Sequence, residues 1–306
     1  MNIALFVEQA LNGLQYGLML FLLAAGLTIV FGVMDMINLA HGSLYMIGAF
    51  VAAWLLPVTG SFWLALAGAV VVTAVVGVVL EVSLLRALYT RDHLSQVLAT
   101  FALILVLNDA VKFVFGSDRP LSAPAAFDGP VALPLGLQYP AWRLVIIATG
   151  LALAVALYLL VQKTRLGALV RAGASNRRMA SAMGVDVPRL FTIVFALGAG
   201  LCAVAGCLLG PLLAVQVGMG ENILIPAFVV VVIGGVGSIR GALLGALLVG
   251  VVDTLGRTLL QHALRQALPP QWSSAAGPAL ASVAMYLLMA GVLAWRPQGL
   301  WPVRGR

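Results

Sequence analysis

The sequence predicts an all-α, polytopic membrane protein, and three observations predict it. The 306 residues are 62% hydrophobic and only 9% charged, whereas a soluble domain carries about 25% charged residues. Residues 9–34, 36–80, 144–162, 190–220 and 266–295 contain no Asp, Glu, Lys or Arg. These runs are continuous, and about 20 apolar residues cross a bilayer as a helix. A β-barrel would show alternating segments of roughly 10 residues instead. The lipid bilayer is therefore the first expected partner.

The spans are expected at 14–33, 43–56, 62–80, 94–115, 142–162, 190–213 and 278–295. Pro57 and the Thr59-Gly60-Ser61 turn close the second. The fourth carries Asp109 and Lys112 three apart, which predicts a pair. Residues 223–252 read as two shorter apolar helices, or a re-entrant pair, around Gly234-Gly235-Val236-Gly237-Ser238-Ile239-Arg240-Gly241. The start of the chain lacks a positive n-region and carries Glu8, so it reads as a first span rather than a cleaved signal.

Charge sets the expected orientation. Residues 163–189 hold six basic side chains (Lys163, Arg165, Arg171, Arg177, Arg178, Arg189) and one acid, Asp186. A basic loop between spans belongs in the cytoplasm, as does the tail with Arg296, Arg304 and Arg306. Residues 116–140 hold five prolines and no net positive charge, which suits an extended outer loop. Parity then puts the N-terminus outside and the C-terminus inside, with seven or nine crossings. The net charge of +7 sits at span ends, so it is topological and implies no nucleic acid.

No enzyme site stands out. His41, His93 and His262 lack metal-ligand spacing, Cys202 and Cys207 read as packing residues, and no cofactor is implied. The glycine cluster lacks the Gly-Lys-Ser/Thr end of a phosphate loop. Glu81, Asp109 and Asp253 fall near expected span ends, which disfavours a proton-coupled carrier. Two breaks are substrate-path candidates by analogy with interrupted transporter helices: Asn38, His41 and Gly42, and Gly234, Gly235, Gly237 and Ser238. The plainer alternatives are an interfacial loop and close helix packing. In the basic loop, Ser175 can cap a short helix bearing Met179, Ala180, Ala182 and Met183, and Gly184 can end it. Its apolar stripe suits a groove on a partner or a lipid surface.

Residues 26–42, Gly-Leu-Thr-Ile-Val-Phe-Gly-Val-Met-Asp-Met-Ile-Asn-Leu-Ala-His-Gly, resemble the opening of LivH-type permeases. These are inner-membrane subunits of bacterial branched-chain amino acid ABC importers. Ser181-Ala182-Met183-Gly184-Val185 is similar to the family's ATPase-docking segment, and residues 234–242 resemble its late glycine signature. The matches keep the family's order and spacing over nearly the whole chain. Arg240 departs from the family, which often has proline there. The resemblance implies one permease domain over 1–306, with an ATPase-docking loop at 163–189 and an outer loop at 116–140. It implies that Ser175, Met179, Ala180, Ala182, Met183 and Gly184 meet the motor. It also implies two ABC ATPase subunits, a paralogous second permease and a periplasmic substrate-binding protein. Urea, short amides or aromatic acids are alternative cargoes, and a stand-alone channel or secondary carrier is the alternative machine.

Overall fold

The computed structural model describes residues 3–133, 136–267 and 269–301; Arg304 and Arg306 lie outside them. Where the sequence is apolar and uncharged it folds as α-helix, because a bilayer offers no water to satisfy an open backbone. The long helices are α1 (Ile3–Met34), α2 (His41–Thr59), α3 (Phe62–Leu88), α4 (His93–Phe115) and α5 (Ala141–Lys163). Two short helices, α6 (Arg165–Ser175) and α7 (Arg177–Ala182), precede α8 (Val187–Leu209), α9 (Met219–Gly234), α10 (Ile239–Ala267) and α11 (Pro270–Trp295).

Among the described residues, eight helices are long and apolar enough to cross a membrane, and α9 is a shorter apolar one. At 16 residues, α9 is about 24 Å long. It packs on α10 with Gly234 against Gly241 and Val230 against Gly245, so the glycine break separates two helices of opposite direction. Counting α9, the described residues give nine apolar helices, eight of them of spanning length.

The two ends differ in character. At one end β1 (Asp118–Arg119) pairs with β4 (Val215–Gln216), and β2 (Pro130–Leu133) pairs with β3 (Leu137–Pro140), both antiparallel. Asn12 Oδ1 accepts from Tyr139 Oη at 3.0 Å and from Arg143, which fixes the start of α1 at this loop end. At the other, basic end lie α6, α7, the glycine break and residues 296–301.

α1 is the axis. From Leu18 to Ala25 its side chains are fully buried. α3, α4, α5 and α11 surround the core and turn Val71, Val75, Leu98, Phe101, Leu105, Val155 and Leu287 outward. A helix apolar all round is suited to that position, with protein on one side and acyl chains on the other.

Polar groups inside the bundle are satisfied by protein. Glu81 is fully buried within α3, inside the five-residue π-helical stretch Glu81–Leu85. This overturns its expected place at a solvated span end. The wider π turn sets Arg86, five residues on, over the carboxylate at 3.1 Å. Tyr89 Oη (2.6 Å) and Thr192 Oγ1 of α8 (2.7 Å) also donate to Glu81. Burial first, then the bond to Glu81, pushes the Tyr89 phenol up. The expected Asp109–Lys112 pair does not form; Asn108 instead donates to Glu221 of α9 at 2.6 Å. The Glu81 cluster stitches α3 to α8, and removing the carboxylate takes the shared acceptor from Tyr89, Thr192 and Arg86. Glu81→Ala is therefore expected to destabilise the detergent-solubilised protein, read as a lower melting temperature. Glu81→Gln, which keeps two acceptor or donor contacts, is expected to lose less.

Candidate functional site

The first interruption lies between α1 and α2. α1 ends at Met34, and Asp35 turns the chain with φ 52°. The chain then runs without helix back into the bundle, and α2 starts at His41. The His41 imidazole lies against Gly26, eight residues before the end of α1, and against Gly198, midway along α8. Its Nε2 is 3.0 Å from Cys202 Sγ, and both residues are completely buried.

Such a start leaves backbone groups that α-helix would have paired, and α4 supplies the partners. Gln96 Oε1 accepts from the Ile37 N–H (3.4 Å), and Thr100 Oγ1 accepts from the Leu39 N–H (3.3 Å). Both side chains are held in turn. Gln96 Nε2 donates to the Leu88 and Arg91 carbonyls, and the Thr100 hydroxyl donates to the Gln96 carbonyl at 2.8 Å. Asn38 Oδ1 accepts from the Ala40 N–H at 3.1 Å, which turns the chain into α2. The buried Asn38 Nδ2 has no hydrogen-bond partner. Gly42 packs backbone to backbone on Gly220 at the start of α9, where a Cβ on either residue would meet the opposing carbonyl.

The second interruption is at the basic end. Gly235 (φ 98°) and Gly237 (φ 83°) occupy a region that L side chains rarely adopt. Ser238 Oγ accepts from the Gly241 N–H at 3.1 Å and so begins α10. The carbonyls released at the end of α9 accept from the chain after α11: Leu300 N–H to Ile233 (2.9 Å) and Trp301 N–H to Gly234 (3.1 Å). Gly237 rests on Gly32 of α1. A cavity of about 690 Å³ opens beside it, with Thr28, Tyr158, Arg171, Ser175 and Ser238 in its wall.

The structure thus places Asn38, His41 and Gly42 at mid-bundle and Gly234, Gly235, Gly237 and Ser238 at the basic end. The two groups do not meet. Both touch α1, at Gly26 and Gly32, and six helical residues separate those points by about 9 Å.

The basic segment folds as an elbow. Thr164 Oγ1 accepts from the Gly167 N–H and caps α6. Ser175 does not cap α7, contrary to expectation. It is the last residue of α6, and Asn176 is the extended one whose Oδ1 accepts from Met179 N–H at 2.9 Å. Ala180 turns inward and is buried, so it drops out of the expected apolar face. Met179 (60% exposed) and Met183 (80% exposed) carry that face, with Ala182 between them also exposed. Gly184 (φ 87°) ends the helix as expected, with the Val185 N–H bonded back to the Ala180 carbonyl at 3.1 Å. Pro188 starts α8 rather than merely stopping α7, because Asp186 caps that helix by accepting from the Arg189 N–H. Arg177 Nε donates to the carbonyl of Val33 at 3.0 Å, and its guanidinium lies 5.5 Å from the Phe191 ring centroid. The elbow is therefore fastened to the end of α1.

Gln96 and Thr100 were not singled out by the sequence, and Cys202 was read only as a packing residue. The first two carried a readable signal, since polar residues four apart share one face of an otherwise apolar helix. Cys202 is 161 residues from His41, and nothing local links them. Because Cys202 and Cys207 are both buried, a maleimide is expected to leave them unmodified in the folded, detergent-solubilised protein and to modify both in dodecyl sulfate. Mass spectrometry reads the difference.

Known proteins place this architecture. Residues 9–293 match the profile of the family described as branched-chain amino acid transport system, permease component. The chain is 32% identical over 276 residues to the high-affinity branched-chain amino acid transport system permease protein LivH of Salmonella typhimurium, covering 83% of this chain and 87% of that one. It is 33% identical over 264 residues to the corresponding permease protein BraD of Pseudomonas aeruginosa, covering 82% and 86%. A more distant relative is the ribose import permease protein RbsC of Escherichia coli, 26% identical over 260 residues, covering 81% and 77%. A helical bundle interrupted at the two glycine-marked segments, matched over nearly its full length, makes this multi-pass membrane protein a member of the branched-chain amino acid transport system permease family.

Proposed function

We propose that the chain is one half of the translocation pathway of an ATP-driven importer for branched-chain amino acids in a bacterial inner membrane. Residues 1–306 act as one permease domain. A paralogous permease supplies the other half, and two ATPase subunits dock on the elbow within residues 163–189. A periplasmic binding protein delivers cargo at the loop end, near residues 116–140. The N-terminus then lies outside and the described end of the chain at Trp301 inside.

One observation carries this reading: the hydrogen bond from Arg177 to Val33. It couples an exposed apolar patch, Met179 and Met183, to the helix that both interruptions touch. A protein docked on that patch and moved by ATP closure would pull on α1, and through Gly26 and Gly32 on both breaks. The polar atoms left unpaired in the core fit a path along the same helix. Thr28 Oγ1 sits at the basic-end cavity and Asn38 Nδ2 near mid-bundle. Cargo choice belongs mainly to the delivering protein, in keeping with a ribose permease among the relatives.

The test is uptake of labelled leucine by proteoliposomes holding the chain with its partner subunits. Met179→Asp/Met183→Asp changes only exposed side chains, so it is expected to insert and melt as the parent does. Uptake and ATPase co-purification are expected to fall about tenfold or more, the effect of placing charge in an apolar contact. Full uptake and full co-purification in that variant would contradict the docking role.

A further inference from the structure

A second cavity, of about 410 Å³, lies at the loop end, and it differs from the first in carrying a charge pair. Asp253 and Arg257 stand one turn apart on α10. Arg257 Nε and Nη2 donate to Asp253 Oδ2 and Oδ1 at 2.8 and 2.9 Å. Asp253 is only 5% exposed, while the Arg257 side chain is about half exposed and lines the cavity. Tyr45 of α2 also lines this cavity; it is 1% exposed, and its buried hydroxyl has no hydrogen-bond partner. Asn222 adds an amide, and Met219 and Ile223 add an apolar wall.

Each feature is costly without a ligand. An ionisable pair within a membrane helix is expensive to desolvate and marks a functional site by default. A buried, unpaired hydroxyl costs further. Packing of α1 on α10 does not require the charge pair, since the two helices approach through Gly17 and Gly250. The pair is neutral as a whole. A lone cation or anion would meet one attractive and one repulsive charge there, whereas a zwitterion laid antiparallel meets two attractive ones. The volume lies within the range of small-molecule sites.

We infer that this cavity is a transit site for a zwitterionic α-amino acid. Its carboxylate rests on Arg257 and the Tyr45 hydroxyl, its ammonium on Asp253, and its aliphatic side chain on Met219 and Ile223. The inference rests on the importer reading above and assigns that importer a point of contact with its cargo.

The experiment measures labelled L-leucine uptake by the reconstituted complex, together with melting temperature. Tyr45→Phe removes only the unpaired hydroxyl. A structural role predicts unchanged uptake and equal or higher stability. The transit site predicts equal or higher stability with a maximal rate about fivefold lower, the worth of one hydrogen bond. The half-saturating leucine concentration, set by the delivering protein, stays unchanged. Asp253→Asn/Arg257→Gln neutralises the pair together, leaves no stranded charge, and is expected to lower the maximal rate about tenfold or more with normal insertion. Parental rates in both variants would overturn the transit site and leave the importer reading standing. A parent complex that moves no leucine would overturn both.

Discussion

Every peptide group that leaves the helical pattern inside this bundle must find a protein partner, because acyl chains offer none. The unwound approach to α2 meets that demand through two side chains of α4. Gln96 and Thr100 accept from Ile37 and Leu39, and each is locked by bonds to its own neighbourhood. With those acceptors in place α2 can begin at His41, halfway through the bundle rather than at its edge. The glycine break at 235–238 solves the same problem at the basic end by borrowing donors from Leu300 and Trp301.

α1 connects these two solutions. It is buried along its apolar middle, it meets His41 at Gly26 and Gly237 at Gly32, and its last turn receives Arg177 from the elbow. Packed helices of this kind move as units rather than deforming continuously. The Arg177 bond thus ties α7 to the helix that both interruptions touch. The cavities lie on opposite ends of the same axis, one walled by Thr28 and the other by Tyr45. His41 and Cys202, both completely buried, line neither cavity.

The spans were legible in the sequence because lipid penalises charge, and uncharged runs are therefore helices almost by exclusion. Their ends were less so. α2 continues through Pro57 to the left-handed Gly60, since a proline in a last turn gives up little. α9 starts at Met219, four residues before its apolar run, where Gly220 must fit against Gly42. The elbow was legible as a basic, amphipathic loop, but the choice between Ser175 and Asn176 as cap depended on backbone angles that composition does not carry. Glu81 was misplaced because a π turn has no periodic signature. The contacts of His41 with Cys202, and of Tyr45 with the Asp253–Arg257 cavity, join residues more than a hundred positions apart and exist only in three dimensions.

Hydrogen–deuterium exchange at the amides of Ile37 and Leu39 tests the central constraint most directly, in the parent and in Gln96→Leu/Thr100→Val. If α4 holds the unwound segment closed, both amides exchange in the parent as slowly as those of the adjoining turns of α1 and α2. In the variant they exchange faster by about tenfold or more, the loss of roughly one hydrogen bond each, while the helices keep their protection. Exchange of Ile37 and Leu39 in the parent as fast as in an exposed loop, or no change on removing both acceptors, would contradict the account.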